Sequence, residues 1–177
     1  MPDPLNAAGG ASWGEWFEVK NTGTAPVDLQ GWTITTQGQP SHVIASSVVV
    51  PPGGYRVLGR GADPALNGGI TIDYNYFTGT STTIFLDATD FVSLKDASGG
   101  LVDVVRWTTS STFVRGITRG VRDATLDNTD VAGSNWGYST TTFGHGDFGT
   151  PGADNGTLDN TPPAVPNSIV FSGRLTS

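Results

Sequence analysis

The sequence predicts an all-β protein built as a sandwich, and three observations predict it. Twenty-five glycines and eleven prolines among 177 residues, with only 14% charged residues, are poor material for helices and good material for turns. Short stretches alternate apolar and polar residues with a period of two, the mark of strands that bury one face. Clusters of Gly, Pro, Asn and Asp separate these stretches at spacings of about 8 to 12 residues, as a stack of short strands requires. A chain of this length with 36% hydrophobic residues buries one core of ordinary domain size and leaves residues over for tails.

Residues 1–13, rich in Pro, Asn, Gly and Ala, read as an N-terminal arm. Glu15 to Asn21 is the first strand, with Phe17 and Val19 on one face and Trp16, Glu18 and Lys20 on the other, and Asn21-Thr22-Gly23 turns it. Val27 to Leu29 and Trp32 to Thr35 supply the next strand material, broken at Gly31. The β-branched stretch Val43 to Val50 closes at Pro51-Pro52-Gly53-Gly54, the strongest hairpin-like signal in the chain, and Tyr55 to Leu58 returns. Ile70 to Tyr76, Thr82 to Leu86, Phe91 to Leu94 and Leu101 to Trp107 follow, the last two joined by the turn Asp96-Ala97-Ser98-Gly99-Gly100. Beyond Gly133 the pattern loosens. The sandwich is thus expected over residues 14–156, a Pro-rich linker over 157–167, and a lone strand-like segment within 168–177, where Ile169 and Phe171 share a face.

Five runs, Gly14 to Gly23, Pro26 to Ile34, Pro51 to Leu58, Phe91 to Gly100 and Gly149 to Asn155, occur in an order that resembles the lamin tail domain in the version found in exported bacterial proteins. The resemblance covers about Gly14 to Asn155 and implies an immunoglobulin-like β-sandwich. It places Trp16, Phe17, Val19, Leu29, Trp32, Tyr55, Val57, Leu58, Val92, Leu94, Val104 and Trp136 in the core, and Gly31, Gly54, Gly99 and Gly152 in turns. Arg119 matches an arginine that precedes the last strands of family members, and none of these positions is catalytic. The family usually opens with a strand carrying an Asn-Glu pair just before a segment like Met1 to Pro4. That strand is missing here, and a missing strand leaves an edge of unpaired N–H and C=O groups.

Net charge of −7 without a basic stripe argues against a partner built on a phosphate backbone; only Arg115, Arg119 and Arg122 cluster. With no cysteine there is no disulfide framework and no thiolate chemistry. No apolar run approaches the ~20 residues that span a bilayer, and nothing near Met1 reads as a signal peptide, so an export signal is expected upstream. His42 and His145 are the only histidines. His145-Gly146-Asp147 is the one locally suggestive pairing, yet no strained serine elbow accompanies it. Asp3, Glu15 and Glu18 offer hard oxygen ligands that suit calcium where the arm meets the first strand, and Asp123, Asp127 and Asp130 with Asn128 and Asn135 form a second acidic loop. A solvated acidic edge explains both groups as well.

These features predict a non-enzymatic extracellular module for binding or assembly, with no cofactor other than calcium at those carboxylates. The expected partner is a protein or cell-surface ligand, or a second copy of the chain, and neither nucleic acid nor a membrane span is expected. Contact residues are placed at Trp13, the tryptophan expected to be most exposed, and at Ile169 and Phe171. Two other readings stay open: a fibre subunit that polymerises by donating its C-terminal strand, and an accessory domain of a larger secreted nuclease or phosphatase.

Overall fold

A computed structural model describes residues 1, 3–77, 79, 84–108 and 113–164. The expected C-terminal strand with Ile169 and Phe171 lies outside the described residues, as does the first part of the segment expected at 82–86. Short strands account for most of the regular structure. They are β1 (Trp16–Lys20), β2 (Val27–Asp28), β3 (Thr33–Thr36), β4 (His42–Val43), β5 (Val49–Val50), β6 (Tyr55–Gly59) and β7 (Tyr74–Asn75), then β8 (Asp90–Lys95), β9 (Leu101–Trp107), β10 (Arg119–Val121), β11 (Trp136–Ser139), β12 (Thr142–Phe143), β13 (Asp147–Phe148) and β14 (Leu158–Asp159). Among the described residues helix is confined to a 3₁₀ turn at Ala11–Trp13 and one α-turn, α1 (Pro64–Asn67), capped by the Asp63 carboxylate at the Ala65 N–H.

The turn at residues 96–100 makes a hairpin, pairing β8 with β9. Asp96 accepts from the N–H groups of Ser98 and Gly100, and Gly99 takes φ +89°, a conformation glycine adopts without strain. The corner at residues 51–54 does something else. β5 pairs with β2 while β6 pairs with β1, so the prolines carry the chain from one sheet to another and the flanking strands do not meet as a hairpin. Prolines cannot donate to a ladder, which suits this handover.

Two sheets form the sandwich. One has the order β1-β6-β7 and the other β4-β3-β8-β9, and the core between them contains Leu29, Ile34, Ile44, Val50, Leu58, Tyr76, Ile84 and Leu94. A third sheet, β10-β11-β14, continues past the boundary expected at residue 156, because β14 pairs with β11. The arm is docked: the Leu5 and Asn6 N–H groups donate to the buried Asp147 carboxylate, and the Gly9 N–H donates to the Leu66 carbonyl.

Candidate functional site

Two strand edges that have no further strand beside them among the described residues face a common cleft. β1 bonds β6 through its odd-numbered residues, since the Glu15 carbonyl accepts from Arg60 N–H and Asn21 exchanges bonds with residues 53 and 54. The alternation of a strand therefore turns the N–H and C=O groups of Trp16, Glu18 and Lys20 the other way. β10 bonds β11 through even-numbered residues, as the Ser139 N–H donating to Thr118 and the Arg122 N–H donating to Asn135 show. Arg119 and Val121 thus point their main-chain groups away from β11, where the Val121 carbonyl accepts from the Asn155 side-chain amide.

The arm marks how a strand would lie in this gap. Met1 and Trp16 each donate an N–H to the other's carbonyl, the reciprocal pairing of antiparallel strands, and two residues on, the Asp3 carbonyl accepts from Gly116 N–H, just ahead of β10. Residues 1 and 3 therefore bridge the two edges at one end. Beyond Met1, between Glu18 and Lys20 on one side and Arg119 and Val121 on the other, the gap opens into a cleft of about 530 Å³ whose apolar wall includes Phe17, Val19, Val92, Leu94, Trp107 and Trp136. Interiors are normally packed without voids of this size. Here Phe17, Val19, Val92 and Trp136, all expected in the core, are only half-buried, and so is Trp32 in the same cleft.

Charged groups around the cleft are held away from their ordinary protonation. Glu18 accepts from Gly152 N–H at 3.0 Å, and burial raises its carboxyl to about 7. Glu15, 5% exposed, accepts from Leu86 N–H at 3.0 Å and is raised by burial to about 8, while burial lowers the enclosed Met1 amino group to about 5. The Arg119 guanidinium lies 4.1 Å from the centre of the Tyr138 ring and donates to the Val131 carbonyl. Main-chain donors and acceptors along apolar walls are the ingredients for pairing with an extended peptide.

The sequence model of the Lamin Tail Domain family matches residues 1–109. The chain belongs to this family. The lamin tail domain is an immunoglobulin-like module, in agreement with the sheets described above. No curated protein matches the chain.

Within this lamin tail domain the sequence-predicted candidates part company. Asp3 faces Arg115 at 3.4 Å, Glu15 caps Leu86 and Glu18 caps Gly152, so the three carboxylates proposed for calcium do not converge, and the described residues hold no group of three or more His, Asp or Glu side chains placed for a metal. Asp123, Asp127 and Asp130 each cap the N–H two residues ahead. Trp13 is half-buried instead of exposed, because side-chain-free Gly9 and Gly61 let it lie flat and the Phe77 ring packs 5.5 Å away. His42 shares a 2.8 Å hydrogen bond with the Tyr74 hydroxyl, and burial lowers its pKa. His145 is exposed, while Asp147, raised by burial, is occupied by Leu5 and Asn6, so the suspected pair is not assembled.

Sequence reasoning missed three polar organisers. Asn67, 1% exposed, donates to the carbonyls of Gly61 and Ile70 and accepts from the N–H groups of Gly69 and Ile70; its only sequence signal is the Gly-Gly that follows. Asp147 anchors the arm. Arg122 donates to the carbonyls of Leu158 and Asp159 and to the Asn160 side chain, and so ties the end of β14 to the end of β10.

Proposed function

We propose that this lamin tail domain is a non-catalytic extracellular module for binding or assembly, and that it works by accepting an extended protein segment into the gap between β1 and β10. The observation that carries the reading is the cleft itself: two strand edges, largely unpaired among the described residues, aligned along a partly apolar space of about 530 Å³. An added strand satisfies the edges through its main chain and fills the space with alternate side chains, the mode known as strand addition. When that strand comes from a neighbouring copy, head-to-tail contacts of this kind do not close and build a fibre.

Amide hydrogen exchange on the full chain tests this. Glu18, Lys20, Arg119 and Val121 should exchange slowly, either in the protein alone or once an excess of a peptide with alternating apolar residues is added. Exchange at solvent-exposed rates at all four under both conditions removes the strand-acceptor reading. Nuclease, phosphodiesterase and esterase substrates should stay intact throughout, and turnover abolished by His145→Ala would contradict the non-catalytic part.

A further inference from the structure

We infer that His42 and Tyr74 form a pH-operated clasp between the two sheets of the sandwich, closed while the imidazole is neutral and released when it takes a second proton. His42 lies on β4 and Tyr74 on β7, and each strand is the last of its sheet among the described residues. The Tyr74 hydroxyl oxygen stands 3.1 Å from the Ala45 nitrogen and 2.8 Å from His42 Nε2. A main-chain N–H can only donate, so the oxygen accepts from Ala45 and its own proton is left for Nε2. Every donor of the group is then used, and the ring is neutral with its proton on Nδ1.

A proton on Nε2 puts a donor on both sides of this bond. The oxygen then faces two N–H donors, and the O–H of Tyr74, a residue 9% exposed, has to turn to where the closed arrangement gives it no acceptor. No charge nearby offsets that cost. β3, paired with β4 at Thr33 and Ile34, carries none, and neither do residues 44–47. Asp73, beside Tyr74, is turned to Arg56 and the Val57 N–H, and Asp28 to the Ser47 hydroxyl and the Val48 N–H. Tyr74 is thus the titratable group that faces His42 among the described residues, and burial alone lowers the imidazole below its ordinary value of 6.5. Protonation therefore favours the open arrangement, and opening grows as pH falls below that value. β4 and β7 are two residues each, the kind of short element that opens locally. Ile44 and Tyr76, two residues beyond the clasp on either strand, are 0% exposed, so opening here uncovers part of the core in acid.

Nuclear magnetic resonance on the full chain tests the clasp. At about pH 7.5 the imidazole nitrogen shifts should show His42 Nε2 without a proton, and the Ala45 amide should exchange slowly. At about pH 5, exchange at Ala45, corrected for its intrinsic pH dependence, should be about tenfold faster relative to the β8 amides, the scale of one buried hydrogen bond lost. Tyr74→Phe keeps the ring without the hydroxyl and should leave Ala45 fast at both pH values. His42→Gln keeps an acceptor for Tyr74 without the titration and should abolish the step, while His145→Gln should leave it in place. A proton on Nε2 at pH 7.5, an Ala45 amide that keeps its protection at pH 5, or a step that survives His42→Gln overturns the proposal. Should Tyr74→Phe fail to fold, the wild-type tautomer and the His42→Gln comparison still decide.

Discussion

Glu15 shows how one residue couples the fold to pH. Burial pushes its carboxyl up to about 8 from an ordinary value of 4.5, because it disfavours the charged form more than Leu86 N–H and Arg60 favour it. A carboxyl raised on folding contributes stability that is fully present below the unfolded value and is lost as pH rises through the folded one. Glu18 acts in the same direction up to about 7, while the Met1 amino group, lowered from 8 to about 5, acts in the opposite direction over that interval. Two groups outweigh one between about pH 5 and 7, so the free energy of unfolding should fall there. Glu15→Gln keeps an oxygen for Leu86 N–H and removes the titration. Relative to wild type the variant should gain about 3 kcal/mol between pH 4.5 and 7, since one pKa unit corresponds to ~1.4 kcal/mol. Denaturant melts that stay parallel across that range would contradict the assignment.

Elements in this molecule are short, and their ends are fixed by polar side chains more than by the strands themselves. The loop from α1 to β7 has almost no ladder of its own, yet Asn67 satisfies two carbonyls and two N–H groups there from a buried position. Asn67→Ala removes the partner of the Gly61 and Ile70 carbonyls and of the Ile70 N–H, while Gly69 N–H keeps the Pro64 carbonyl, and should cost about 3 kcal/mol, as lost buried hydrogen bonds do. Thermal melts measure it, and a loss under 1 kcal/mol would show that water replaces the amide. The residues that made elements legible in the sequence were those with local chemistry. Gly99 after Asp96 predicts the β8–β9 hairpin because both the positive φ and the capped N–H groups are local. The 51–54 corner is equally clear as a turn, but which strands pair across it depends on distant partners, and local residues carry no record of those.

At the scale of the whole molecule, order and spacing of the five runs were enough for the lamin tail family and its immunoglobulin-like sheets, because turn chemistry and alternating faces are written residue by residue. The expected burial holds at Leu29, Val57, Leu58 and Leu94. It failed at Phe17, Val19, Val92 and Trp136, whose periodicity is that of core residues but whose neighbours across the cleft are missing. Residues 3, 15 and 18 are close in sequence, yet each side chain answers to a different distant partner. The same cleft explains the half-buried aromatics and the unpaired edges, and a strand placed there accounts for both. Nuclear Overhauser contacts between Hα atoms test this most directly, because they are strong only between opposed residues of non-hydrogen-bonded antiparallel pairs, which approach to about 4.5 Å at Cα. With an excess of a peptide of alternating apolar residues added, the Hα atoms of Phe17 and Val19 should meet Hα atoms of the peptide, and a β1 whose Hα atoms meet no residue on the side away from β6 would contradict the account.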